Sequence, residues 1–177
     1  ERVLTFLPPS NKSWRFASGL RALMFAAPVN GQQQVFQYRI DDDTIEQITS
    51  DDGNKDTERT VPWMFRAPEF DNTYVLTTVV NGSELRVYRK LPDAAGVRRW
   101  TAVHSVTLPD GRIAGSPEWF TYNGKSYVFM VAYMPGKEYA TEVWLAAIDP
   151  ANPLLRLITP DAPYRVRNDP EIFVTSN

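Results

Sequence analysis

Arg66-Ala67-Pro68-Glu69-Phe70, Gly115-Ser116-Pro117-Glu118-Trp119 and Asn168-Asp169-Pro170-Glu171-Ile172 each join a Pro-Glu pair to a bulky apolar residue. Pro117 lies 49 positions after Pro68, and Pro170 lies 53 after Pro117. Between the pairs run short apolar and β-branched segments separated by turn dipeptides. A period near 50 built of short strands is what a four-stranded propeller blade leaves in a sequence.

Working outward from these pairs gives an all-β reading in blade register. In the second repeat an inner strand is expected to begin near Phe70 and turn at Asp71-Asn72. Tyr74 to Val80, Glu84 to Leu91 and Trp100 to Leu108 follow as strands, with Asn81-Gly82 as a tight turn. Asn-Gly between two β-rich runs is a strong hairpin signal, because both residues tolerate positive φ. The third repeat offers Trp119 to Tyr122, Ser126 to Tyr133, Thr141 to Ile148 and Leu154 to Ile158. The first has no Pro-Glu pair, but Asn30-Gly31 lies 51 positions before Asn81-Gly82. Its strands are Ser13 to Ala17, Leu20 to Ala27, Gln34 to Ile40 and Thr44 to Thr49. Phe36, Tyr38 and Ile40 alternate on one face, as in a half-buried strand.

The expected architecture is thus a single β-propeller domain or fragment over residues 1–177, with blades at 13–49, 61–108 and 115–158. Partial strands at 3–7 and 171–176 belong to neighbouring blades. Propellers close with roughly four to eight blades, so these three belong to a larger ring of roughly five to seven. Missing sequence, another chain or self-association would complete it. An antiparallel β-sandwich is the rival, and it leaves the period unexplained.

Composition bounds function by exclusion. The chain is 43% hydrophobic, 12% aromatic and 23% charged, with net charge −2, and Arg98-Arg99 is its longest basic run. That argues against a nucleic-acid partner, which requires a basic stripe. No apolar stretch approaches the roughly 18 residues of a membrane span. Without cysteine, with His104 alone and with no Gly-x-Ser-x-Gly, there is no Cys-ligated zinc, no His-rich metal site and no α/β-hydrolase triad. No metal or organic cofactor is implied. Asp52-Gly53-Asn54-Lys55-Asp56 alternates oxygen donors as a calcium loop does, yet lacks the distal glutamate, and a solvated turn is favoured. Asn11-Lys12-Ser13 and Asn81-Gly82-Ser83 fit the glycosylation acceptor pattern. With the non-Met start they give a secreted or periplasmic expectation.

Two resemblances follow from short motifs. Ile48-Thr49-Ser50-Asp51, then Trp63 and Ala67-Pro68-Glu69, resembles the repeat of TolB-like propellers, with Glu69-Phe70 in place of the usual Asp-Gly. Asn168-Asp169-Pro170-Glu171 and Ser116-Pro117-Glu118-Trp119, continuing to Gly124-Lys125-Ser126-Tyr127, resemble blade starts of family 43-type glycoside hydrolases. The second resemblance implies Asp169 as general base and Glu118 as general acid at the channel mouth, with no match for that family's third carboxylate. Glycoside hydrolysis needs such a pair about 5 to 9.5 Å apart.

A motif that recurs in every blade more often serves the blade. Arg66 and Arg167 lie just upstream of Glu69 and Glu171, which favours structural ion pairs for those two glutamates. Trp63, Trp119 and Tyr122 could stack on sugar rings, although propeller aromatics mostly fill the space between blades. The functional expectation is a carbohydrate-recognising propeller, with or without glycosidase-like hydrolysis, its site at the channel mouth. The alternative is a TolB-like scaffold that binds a protein through its acidic loops at Asp41 to Asp43 and Asp51 to Asp56.

Overall fold

A computed structural model describes residues 15–17, 19–50 and 59–159. The expected partial strands at 3–7 and 171–176, the Asn11 acceptor site, the Asp52 to Asp56 loop, Asp169 and Glu171 lie outside them. The described residues form twelve strands and no α-helix. The first sheet holds β1 (Arg15–Phe16), β2 (Ala22–Val29), β3 (Gln32–Arg39) and β4 (Thr44–Gln47). The second holds β5 (Arg59–Ala67), β6 (Thr73–Val80), β7 (Glu84–Pro92) and β8 (Arg98–Thr107). The third holds β9 (Ile113–Tyr122), β10 (Lys125–Tyr133), β11 (Glu142–Ala147) and β12 (Leu155–Leu157). Each sheet is an antiparallel meander in chain order, as a propeller blade is.

The turns behave as their residues dictate. Asn30-Gly31, Asn81-Gly82 and Asn123-Gly124 all have positive φ at both positions, which suits the tight hairpins they close. The Ile-Thr strand end also has a physical basis. Past the end of β4, the Ile48 N–H donates to the Val35 carbonyl, and the Thr49 hydroxyl accepts from the Val35 N–H at 2.9 Å. In the third sheet Ile158 donates to the Val143 carbonyl, and the Thr159 hydroxyl accepts from the Val143 N–H at 2.9 Å. The threonine side chain thereby supplies the ladder acceptor that the departing backbone no longer offers.

Alternation along the strands sends successive side chains to opposite faces. Met64, Leu76 and Tyr88 of the second sheet pack with Ala22, Met24, Val35 and Ile48 of the first. Phe65, Val75, Leu85 and Val87 pack with Val128, Met130, Trp144 and Ala146 of the third. Strands β5 to β7 of the second sheet are therefore buried on both faces, and Val75 to Val80 of β6 are buried without a break. Phe25, Ala27 and Tyr38, on the remaining face of the first sheet, form a further cluster.

The Pro-Glu pairs do not occupy equivalent places, which corrects the alignment drawn from them. The inner strand of the second sheet does not begin near Phe70 but ends at Ala67, and Pro68–Phe70 form a 3-10 turn after it. Pro117 and Glu118 instead lie within β9, which begins six residues before Trp119, at Ile113. The structural repeat is instead a bulge that contains a proline, Pro62 in β5 and Pro117 in β9. In β5, Val61 and Pro62 sit between the pairs Thr60↔Val79 and Trp63↔Thr77, and in β9, Ser116 and Pro117 sit between Gly115↔Val131 and Glu118↔Phe129. Val61 and Ser116 have φ of 47° and 43°, a strained conformation for a β-branched residue and an unusual one before proline. A bulge kinks the strand and re-aims the residue after it.

His104 on β8 is half-buried, and burial pushes its pKa below the usual 6.5. Its Nε2 has no hydrogen-bond partner among the described residues. A depressed histidine pKa means that the unfolded chain takes up the proton first, so its contribution to stability is full above about pH 6.5 and falls as the pH drops. Chemical denaturation should show stability declining from about pH 7 to pH 5.5, and His104→Gln should flatten that decline.

Candidate functional site

The first strands of the three sheets lie side by side and are tied through their side chains. The Arg15 guanidinium of β1 lies over the Trp63 ring of β5, 5.3 Å from its centroid. Trp63 Nε1 donates to the Pro117 carbonyl of the β9 bulge at 2.6 Å. Trp119 stacks on Phe65, with centroids 4.3 Å apart and rings 2° from parallel. These contacts bring Trp63 and Trp119 together and show both aromatics at work between blades, whereas Glu118, paired with Phe129, leaves β9 on the opposite face from Trp119. Trp63 and Trp119 both pack against the core of the second and third sheets.

Glu69 is held elsewhere. Its carboxylate accepts from the Ser126 N–H at 2.8 Å and the Ser126 hydroxyl at 2.9 Å, bridging the second sheet to the third. Ser126 pairs with Thr121 and Glu118 with Phe129, so the β10 positions associated with the two glutamates face opposite sides of the sheet. Arg66, expected to pair with Glu69, lies instead over the Tyr74 ring at 4.7 Å. Tyr122, at the far end of β9, is 53% exposed. The acidic loop after β3 is occupied internally: Asp41 pairs with Arg21 at 2.7 Å, Asp42 with Arg39 at 3.1 Å, and Asp43 accepts from the Tyr38 hydroxyl at 2.8 Å. Among the described residues no group of three or more Asp, Glu or His is placed to hold a metal ion.

A concavity among the described residues was not anticipated from the motifs. A groove of about 570 Å³ opens between the first and second sheets, at the end where β5 turns into β6. Its wall on the second sheet is a single cross-strand row. Arg66 pairs with Tyr74, the register Val75↔Arg89 carries Tyr74 to Lys90, and Lys90 pairs with Trp100. The four side chains share the face that buries Met64, Leu76 and Tyr88 deeper in the sheet, and they span ~14 Å. Opposite stand Ala22, whose small side chain leaves the space open, and Gln37, whose amide reaches the Met64 sulfur at 3.7 Å. Lys90 crosses the groove to Glu46 at 2.7 Å. The Trp100 Nε1–H is buried without a hydrogen-bond partner among the described residues. The sequence signal was the shared face of four neighbouring strands, which becomes visible only once their register is fixed.

No protein-family profile, curated protein or solved structure matches the chain. The geometry therefore carries the functional argument. Glu69→Ala should cost about 1–3 kcal/mol, because it leaves the buried Ser126 N–H unpaired. Glu118→Gln, which keeps the side chain's size and one acceptor oxygen, should cost less than Glu69→Ala. Equal losses in urea unfolding of the two variants would contradict a bridging role specific to Glu69.

Proposed function

We propose that this chain is a stretch of β-propeller that recognises carbohydrate, binding it in the groove between the first and second sheets. The observation that carries this reading is the groove's wall, where aromatic rings alternate with hydrogen-bonding cations at strand spacing. A sugar offers apolar C–H faces and a rim of hydroxyls. Aromatic rings serve the first, and planar or charged side chains serve the second. Trp100 supplies a ring partly open to the groove, and Asn72 and Thr73 add polar groups from the turn before β6 and the start of β6. The groove's size falls in the range of small-molecule sites.

The proposal is one of binding. Hydrolysis would need a second carboxylate at catalytic distance from Glu118, and Glu69 is committed to Ser126. The TolB-like scaffold reading is weaker, because the carboxylates of Asp41 to Asp43 already have internal partners.

A glycan array probed with the full chain should yield binders. Trp100→Ala should weaken them at least about tenfold, the loss expected for one stacking ring. Glu118→Gln should leave the dissociation constants unchanged. An array blank at millimolar glycan, or full binding by Trp100→Ala, would overturn the assignment.

A further inference from the structure

The charges of the groove run against those of the chain. The protein carries net charge −2, yet the groove is lined by Arg21, Arg39, Arg66, Lys90 and Arg98 against Asp41, Glu46 and Asp71. Three of these cations are neutralised: Arg21 by Asp41, Arg39 by Asp42 and Lys90 by Glu46. Arg66 and Arg98 have no carboxylate partner among the described residues. Arg66 is engaged by the Tyr74 ring, which orients a guanidinium without offering it an acceptor. Arg98 spends one Nη2–H on the Lys90 carbonyl at 2.8 Å, leaving its other N–H donors unassigned.

From this placement we infer that the groove selects anionic saccharides, with Arg66 and Arg98 receiving the carboxylate or sulfate groups. The inference rests on the carbohydrate reading and adds the charge of the ligand. A guanidinium binds a carboxylate through two parallel N–H donors, a geometry an ammonium cannot match. Arg98 precedes Trp100 by two residues on β8, so it stands on the same face, one step along the strand. Arg66 lies at the opposite end of the cross-strand row. The two unpaired guanidinia thus bracket Tyr74, Lys90 and Trp100. A ring resting on Trp100 would carry an acidic substituent toward Arg98, and an oligosaccharide continuing along the row would bring another toward Arg66. Lys90, held by Glu46, contributes its aliphatic stem to the floor and little net charge.

A nucleic-acid strand also combines rings with negative charge. It requires a basic track longer than one row. An acidic oligosaccharide is the smaller ligand that the groove suits.

The test pairs each acidic binder from the glycan array with its carboxyl-reduced or desulfated counterpart, using the full chain and the double variant Arg66→Gln/Arg98→Gln. The parent should prefer the acidic glycan at least about tenfold, and that preference should shrink as salt is raised. The double variant should lose the preference while binding the neutral counterpart as the parent does. Both arginines are exposed, and unchanged thermal unfolding verifies that the variant is folded. A parent that binds acidic and neutral forms equally overturns the charge inference and leaves carbohydrate recognition standing. Binding of neither form removes both. Tighter binding of a single-stranded oligonucleotide than of any acidic glycan overturns the inference in favour of a nucleic-acid ligand.

Discussion

Burial of strands β5 to β7 of the second sheet on both faces is the constraint from which the rest follows. A sheet with one wet face can alternate apolar and polar residues, but a sheet between two others must be apolar on both. The unbroken buried run from Val75 to Val80 meets that demand, with Thr77 and Thr78 as its only polar members. The interfaces on either side are filled by rows of complementary size. Tyr88 and Met64 face small and medium residues of the first sheet, while Phe65 faces Met130, Ala132 and Trp119. The groove forms where this matching stops, because the last row of the second sheet carries Arg66, Tyr74, Lys90 and Trp100 opposite Ala22.

Side-chain hydrogen bonds to backbone hold the blades in register. Trp63 to the Pro117 carbonyl, Glu69 to the Ser126 N–H, and Tyr74 to the Gly19 carbonyl at 3.2 Å each join one sheet to the next. The backbone of one turn does the same, with the Ala114 N–H donating to the Gly82 carbonyl at 2.6 Å. The bulges at Val61 and Ser116 belong to this system. Strain of this kind persists only where surrounding contacts over-determine the backbone, and the Trp63 bond ends on the second of the two bulges.

The architecture was largely legible because its signals are local. Asn-Gly turns, β-branched runs and the Ile48-Thr49 strand end all act within a few residues, and each keeps its meaning in the structure. The Pro-Glu pairs misled because proline punctuates strands in more than one way: Pro68 starts a 3-10 turn, whereas Pro117 fills a bulge. Spacing near 50 could not separate the two. Glu69, expected to pair with Arg66, bonds the Ser126 N–H and hydroxyl instead, while Arg66 lies over the Tyr74 ring. The groove was illegible for another reason. Arg66, Tyr74, Lys90 and Trp100 are spread over 35 positions, and only cross-strand register brings them into one row.

Each sheet is closed by hairpins between consecutive strands, so its backbone ladder is complete within one continuous stretch of chain. Contacts between sheets come later in sequence separation and join only nearest neighbours, through few directional bonds. Such a molecule behaves as a short one-dimensional array, in which units form on local contacts and gain cooperativity from their interfaces. Damage within a hairpin therefore disables one unit, whereas damage at an interface uncouples two units that remain individually paired.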